Sequence, residues 1–150
     1  MAIARGAGTE IIRSAYFEDI DGSVATKIIQ GVQHHIYTVL SVIIYCDSVQ
    51  AAGNIIDIKL RGYDAKAGTS AQDILLNRAN LSAAETFVWN DKFSFNGFEP
   101  VDFTGPMDDA AKQDAIADQG SSVAQYLHVG SSHADDNFEV AITYIDQNNE

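Results

Sequence analysis

The sequence is poor in basic residues, and this shortage disfavours one large class of partner. Nine lysines and arginines stand against 21 aspartates and glutamates, so the net charge is −12 at pH 7. Binding to a nucleic-acid backbone needs clustered cations that neutralise phosphates. We therefore expect no nucleic-acid partner.

Long apolar runs and cysteines are also scarce. The longest apolar run, Val39 to Cys46, is interrupted by Ser41 and falls far short of the roughly 20 residues that cross a bilayer. Residues 1–6 lack the apolar stretch of a secretory signal. We expect no membrane span and a chain that is made in a cytoplasm. The single cysteine, Cys46, lies in this apolar run, which favours a buried and unreactive thiol.

The overall composition of the chain is typical of one globular domain. The chain has 150 residues, of which 46% are hydrophobic and 20% charged, enough to bury one core. We expect an extended arm at 1–10, one domain at 11–146 and a flexible tail at 147–150. The acidic residues concentrate in the C-terminal part, since residues 67–150 hold fourteen of them against three basic residues.

Hydrophobicity with a period of two recurs along the chain and predicts β-strands. Between Ile56 and Arg61 apolar residues alternate strictly with charged ones, which indicates a strand with one buried and one wet face. Between Tyr37 and Cys46 both alternating faces are largely apolar, which indicates a central strand covered on both sides. About eight strands and only one candidate helix predict an all-β fold. We expect an antiparallel β-sandwich, for which a jelly roll is one suitable topology.

Turn signals predict two hairpins in this sandwich. Asp21-Gly22 separates the strand that begins at Ile11 from one that begins at Val24, and Asn90-Asp91 separates Thr86–Trp89 from the strand that begins at Lys92. Neighbouring strands joined by such short turns usually pair with each other.

An acidic insertion interrupts the strand pattern at residues 104–122. Pro106 near its start and Gly120 at its end predict one short surface helix. The insertion contains Asp108, Asp109, Asp114 and Asp118. A solvated acidic face explains these carboxylates better than a cation site does.

No arrangement of side chains indicates catalysis, a metal site or a cofactor. His128 and His133 could approach each other across a turn, with Asp135 and Asp136 nearby, but a metal site there is the weaker interpretation. The segment Asp19-Ile20-Asp21-Gly22 begins like a calcium loop but lacks the downstream bidentate carboxylate. There is no serine elbow and no phosphate-binding loop. We expect a protein that is not an enzyme.

Six of the fourteen aromatic residues fall within residues 87–103. Aromatic residues at alternating strand positions are typical of a core. Phe98, Pro100 and Phe103 lie beyond the second predicted hairpin, and we expect them to form a self-association surface.

Several segments, taken in order, resemble small β-sandwich virion proteins of tailed bacteriophages. The resemblance rests on a Thr-Val-Leu-Ser strand at Thr38–Ser41, a Glu-Thr-Phe-Val segment at Glu85–Val88 and the strand at Phe138–Tyr144, and it covers residues 35–145. The acidic insertion departs from the pattern. The resemblance implies a capsid decoration (cement) protein, or a head-fibre or neck component, located on the capsid surface of the virion.

On this hypothesis, the N-terminal arm and the first strand bind the major capsid protein through Ile3, Arg5, Ile11 and Arg13. The chain would also form a homo-oligomer, with a trimer favoured because closed symmetry is the usual state of such assemblies. Two alternatives remain open. One is a neck or tail adaptor, and the other is a module that binds a carbohydrate or a receptor through loop aromatics and acidic groups.

Overall fold

The computed structural model describes residues 8–50, 54–63, 71–100, 110–111 and 122–148. Eleven β-strands lie in this part of the chain: β1 (Glu10–Ile20), β2 (Thr26–Gln30), β3 (His35–Ser48), β4 (Ile55–Tyr63), β5 (Ala71–Asn80), β6 (Thr86–Trp89), β7 (Phe93–Asn96), β8 (Phe98–Pro100), β9 (Ser122–Ala124), β10 (Tyr126–Ser131) and β11 (Asn137–Asn148).

These strands form two antiparallel sheets, as the sequence predicted. Sheet A has the order β1-β11-β3, with β6 and β7 both paired to the far side of β3, and sheet B has the order β2-β10-β4-β5. Strands β8 and β9 form a separate two-stranded ribbon. The apolar faces of sheets A and B pack on each other, so the predicted β-sandwich is confirmed.

The pairing of the strands is nested, and this nesting identifies the topology. The first strand pairs with the last, β2 with β10, β3 with β6 and β7, and β4 with β5, and successive pairs alternate between the two sheets. A long antiparallel hairpin rolled up in this way is a jelly roll. Because consecutive strands switch sheets, a turn signal between them does not make them partners.

The core consists of the inward residues of both sheets. Each fully buried aliphatic or aromatic side chain contributes roughly 1.5–3 kcal/mol relative to an exposed one. The central strands supply most of these side chains, namely Val39, Val42, Ile44, Ile56, Ile58, Leu127, Val129, Phe138, Val140 and Ile142. The alternation predicted around Ile56 and Ile58 is therefore confirmed.

Strand β3 is central in sheet A, as predicted, but the expectation that both of its faces are covered is wrong. Its inward residues are buried, whereas Ile43 on the outward face is 41% exposed. No described element packs on the outward face of sheet A. Packing in the core of this chain therefore does not explain the apolar residues on that side of the sheet.

The two predicted hairpins are also wrong. Strands β1 and β2 lie in different sheets, and β6 and β7 pair with successive halves of β3 rather than with each other. Strand β6 lies opposite Val42–Tyr45, and β7 lies opposite Ile36–Val39. A turn signal specifies a local change of direction, but the packing of the apolar faces decides which strands pair.

The predicted boundaries can be compared with the strand ends. Strand β1 already begins at Glu10, and Gln147 and Asn148 at the start of the predicted tail belong to β11. Of the acidic insertion, the structure describes Ala110 and Ala111, which are helical, and Ser122 at the start of β9. The rest of the predicted surface helix lies outside the described residues.

The single cysteine is buried, as predicted, and burial raises the pKa of the Cys46 thiol. In the described part of the chain, no helix is both long enough and apolar enough to cross a membrane.

Candidate functional site

The outward side of sheet A carries an apolar row that crosses the sheet. Tyr16 on β1 lies opposite Ala141 on β11, Ala141 lies opposite Ile43 on β3, and Ile43 lies opposite Val88 on β6. Tyr16 and Val88 are each 56% exposed. Side chains of this kind normally lie in a core or an interface.

Uncharged side chains continue this surface on either side of the apolar row. The hydroxyl oxygens of Ser14 and Thr143 lie 3.4 Å apart, and those of Thr38 and Ser94 lie 2.9 Å apart. The face, called the sheet A face below, comprises Ile12, Ser14, Tyr16, Thr38, Ser41, Ile43, Val88, Ser94, Ala141, Thr143 and Ile145. No residue of this set is charged, in a chain whose net charge is −12.

Acidic groups border the sheet A face at both ends, since Glu139 lies beside Tyr16 at one end and Glu10, on the same side of β1 as Ile12, lies at the other. Glu139 accepts a hydrogen bond from the Tyr16 hydroxyl, and this bond is the main reason why the pKa of Tyr16 is raised to about 12. The hydroxyl therefore stays protonated at physiological pH and remains a hydrogen-bond donor.

Strand β1 borders the sheet A face and is an edge strand. Among the described strands it pairs only with β11. Its other side presents unpaired backbone N–H and C=O groups, which can pair with a strand of another chain. Ile12 on this strand is 70% exposed. The edge and the adjoining face together form the strongest candidate interface in the described structure.

Two of the four predicted capsid-binding residues lie on this edge. Ile11 and Arg13 belong to β1, whereas Ile3 and Arg5 lie outside the described residues. The Arg13 side chain already has a partner within the chain, because its Nε donates to a carboxylate oxygen of Asp146 at 2.9 Å. Arg13 therefore links β1 to β11 and also lies on the edge strand of the sheet.

Asp146 is the centre of a polar cluster that sequence reasoning missed. It stands at the last position of the predicted domain, it is only 7% exposed, and His35 Nδ1 lies 2.6 Å from its second oxygen. Two tyrosines flank the cluster. Burial is the main cause that raises the pKa of Tyr37, to about 12, and that raises the pKa of Tyr144. This cluster ties β1, β3 and β11 together at one end of sheet A.

The predicted self-association residues lie on or near β8. Phe98 is half-buried and pairs with Ala124 of β9, and Pro100 pairs with Ser122. Phe103 and the Pro100 side chain lie outside what the structure describes. The earlier aromatic residues of this segment pack inward, with ring centroids 5.5 Å apart for Trp89 and Phe93 and 5.3 Å apart for Tyr37 and Phe95. Their predicted core role is confirmed.

The outward side of sheet B has the opposite character and carries four of the nine basic residues. Arg78 donates two hydrogen bonds to Asp57, at 2.7 and 2.8 Å, and Arg61 is paired with Asp73. Lys27 lies over the Tyr126 ring, 4.3 Å from its centroid. The solvent-facing side predicted from Asp57, Lys59 and Arg61 is present in the structure. The sequence did not predict that residues of β5 pair with these side chains.

These pairs predict how stability depends on pH. Hydrogen bonds from Arg78 and Arg61 are the main causes that hold the pKa values of Asp57 and Asp73 below the ordinary 3.8. A carboxylate with a depressed pKa stabilises the fold above pH 3.8, and this contribution is lost as the pH falls through the folded-state value.

We expect Asp57→Asn to lower the free energy of unfolding by about 1 kcal/mol at neutral pH, because Arg78 is half exposed and the pair is screened. The deficit should shrink towards zero as the pH falls through the folded-state pKa of Asp57, which lies below 3.8 and where the wild-type carboxylate becomes protonated. Urea unfolding between about pH 2.5 and 7 measures this, with Asp47→Asn as the matched control. A deficit that stays constant with pH would contradict the assignment.

The residues of the weaker predicted metal site do not come together. His128 lies on the outward side of sheet B with Nε2 3.2 Å from Asp73, whereas His133 lies in the β10–β11 loop, 3.9 Å from Asp135. Asp136 is buried and accepts hydrogen bonds from Gln50 N and Asn54 Nδ2. Over the described ranges, no group of three or more histidine, cysteine or acidic side chains could hold a metal ion.

No protein-family model and no curated protein sequence matches this chain. Solved structures do match it. A structure of the infectious bursal disease virus Gx strain aligns with 99% of this chain at 8% identity and a TM-score of 0.49, and this chain spans only 35% of the viral chain. A Bacillus endospore appendage protein that forms disulfide-linked pili aligns with 100% of this chain at 9% identity and a TM-score of 0.45, over 97% of its own length. A chain of the T13 infectious bursal disease virus particle aligns with 99% of this chain at 5% identity and a TM-score of 0.40, and this chain spans 37% of it. These likenesses concern the fold alone.

Proposed function

We propose that this chain is a structural subunit of a virion, a capsid decoration protein that sits on the lattice formed by a major capsid protein. The observation that carries the proposal is the sheet A face. In a highly acidic protein the eleven residues of this face are uncharged and acidic residues stand at its borders, and the centre of a protein interface is the place where charged residues are depleted.

The sheet A face is about half the size of a standard interface. It spans four strands about 4.8 Å apart and about six residues of about 3.4 Å each, which gives a plane of roughly 400 Å². A standard interface buries about 800 Å² of accessible surface on each partner. The face alone therefore supplies about half of such a contact, and repetition over a lattice adds avidity to a moderate affinity.

The edge of β1 extends this contact. An extended segment of a capsid subunit can pair with its unpaired backbone groups while Ile11 and Ile12 pack beside it. The residues before Glu10, including Ile3 and Arg5, would continue along the same capsid surface. Self-association of three copies through Phe98, Pro100 and Phe103 completes the proposal and would place one trimer over each local threefold axis.

The proposal predicts that two positive charges on the sheet A face abolish stable binding. Ile12→Lys with Val88→Lys changes two exposed positions on strands at opposite borders of sheet A, where lysine does not disturb folding. We expect the occupancy of the double variant on purified capsids of the encoding virus to fall at least about tenfold, which corresponds to about 1.4 kcal/mol. Quantitative gel densitometry of sedimented capsids measures it.

The matched control makes the same change on the other sheet. Ile74→Lys with Leu75→Lys alters two exposed residues of β5, the edge strand of sheet B, and should leave occupancy unchanged. Equal occupancy for both double variants would overturn the role of the sheet A face. A variant that lacks residues 1–7 tests the arm separately from the sheet A face. Full occupancy of this variant on capsids would show that the arm is not needed for binding. Ring-shaped particles of fixed copy number, without capsid binding, would instead indicate a neck or tail adaptor.

A further inference from the structure

A small polar pocket lies on the outward side of sheet B, where the connection between β1 and β2 crosses strands β4 and β10. Its volume is about 160 Å³. The polar side chains that line it are Asp21, Asp57, Lys59, His128 and Ser131, and Gly130 forms part of its floor. Nothing in the proposed capsid contact uses this pocket, because the sheet A face lies on the other side of the sandwich.

The polar groups of the pocket are held in place before any ligand arrives. Asp57 is fixed by the two hydrogen bonds from Arg78. His128 is only 6% exposed although it points away from the core, and its Nε2 donates to the carboxylate of Asp73. With Nε2 donating to Asp73, Nδ1 is the ring nitrogen of His128 that can accept a hydrogen bond from a ligand. Fixed groups of this kind cost little entropy when they bind.

The chemistry of the pocket narrows the class of ligand. Two carboxylates, Asp21 and Asp57, face one ammonium group, Lys59, and this balance disfavours phosphate and sulfate. The nearby ring of Tyr126 is covered by Lys27 and is not available for stacking. Carboxylates and Nδ1 accept hydrogen bonds and Lys59 donates them, while the Ser131 hydroxyl, which donates to the carbonyl of His133 at 3.0 Å, can accept one from a ligand. A neutral molecule with several hydroxyl groups satisfies this set.

The volume limits the size of that molecule. A pocket of 160 Å³ holds about five water molecules at about 30 Å³ each, far less than the roughly 300 Å³ or more of a drug-sized site. One pyranose ring fits this space, and a second ring would have to project into solvent. We propose that the pocket binds a single sugar residue of a glycan. Without a stacking platform, the dissociation constant for one sugar should be in the millimolar range, about 1–10 mM.

The test is a titration of the ¹⁵N-labelled protein with glucose, galactose, mannose and N-acetylglucosamine, each to about 50 mM, followed by amide chemical shifts. We expect at least one of these sugars to shift the amides of Gly22, Gly130 and Ser131 in a saturable way. Inorganic phosphate, titrated in parallel, should leave these amides in place.

A variant that fills the pocket separates this site from non-specific binding. A Cβ added at Gly130 would meet nothing closer than Ala25 Cα at 3.7 Å, so Gly130→Val introduces its Cβ without a backbone clash and extends two methyl groups at the lining of the pocket. We expect Gly130→Val to fold with an unchanged Tm and to lose the sugar-induced shifts. The matched control is Gln30→Val, the same side chain on the neighbouring strand, and it should bind as the wild type does.

Three results would overturn the proposal. They are the absence of saturable shifts with all four sugars, equal shifts in Gly130→Val and Gln30→Val, and a stronger response to phosphate than to any sugar. Capsid occupancy of Gly130→Val is expected to equal that of the wild type, so a failure of the sugar site and a failure of the capsid contact can be told apart.

Discussion

Replacing Gly97 with alanine is expected to lower the free energy of unfolding by about 3 kcal/mol, because the added methyl group meets neighbouring backbone. A Cβ at this position would lie 2.1 Å from the carbonyl oxygen of Val32, and a Cβ at Gly31 would lie 2.0 Å from the carbonyl oxygen of Gly97. Both obstacles are backbone atoms, so no side-chain rotation can relieve them.

The two glycines lie where three segments that connect strands come into contact. Gly31 N donates to the carbonyl of Gln125, Gln125 N donates to the carbonyl of Gly97, and Gly97 N donates to the carbonyl of His35. These bonds join the β2–β3 turn, the β7–β8 junction and the β9–β10 junction, and hence sheet A to sheet B. An alanine at Gly97 must separate these segments and break one or more of the three bonds.

Urea unfolding of Gly97→Ala measures this effect, and Gly130→Ala is the matched control. At Gly130 the nearest atom to an added Cβ is 3.7 Å away, so the same substitution should change the free energy of unfolding by less than about 0.5 kcal/mol. Similar unfolding midpoints for Gly97→Ala and Gly130→Ala would show that the backbones are not in contact at Gly97.

Asp146→Ala is expected to lower the free energy of unfolding by about 2–3 kcal/mol at neutral pH. The carboxylate is buried and accepts hydrogen bonds from Arg13 Nε at 2.9 Å and from His35 Nδ1 at 2.6 Å. Its removal leaves His35 without this partner and frees β1 at one end. The loss stays below the upper range for buried ion pairs because Arg13 is 48% exposed and can be rehydrated.

A double-mutant cycle isolates the contact between Arg13 and Asp146. Arg13→Ala alone should cost less than about 1 kcal/mol because this side chain is partly solvated. The double variant should be about as stable as Asp146→Ala, since the arginine has little left to contact in the chain. Additive losses would mean that the two side chains do not interact. The cycle also bears on capsid binding, because a capsid contact through Arg13 would lower occupancy in Arg13→Ala although its loss of stability is small.

What the sequence alone determined about this protein is the nature of its strands. Apolar residues that alternate with Asp57, Lys59 and Arg61 place one side of a strand in a core and the other in water, and this follows from the period of two in an extended backbone. This pattern can be recognised without knowledge of the rest of the chain, so the β-sandwich and its core around Ile56 and Ile58 could be predicted.

Tertiary structure alone decided which strands pair and which polar residues meet. The jelly roll brings Asp146 to Arg13 across a sequence separation of 133 residues, and it turns the apolar outward side of β3 into the sheet A face instead of a second buried layer. Likewise Gly31 and Gly97 look like ordinary turn residues until their backbones touch. The pattern of a strand is local, whereas pairing and burial are settled by the packing of the whole chain, and the candidate surfaces depend on both.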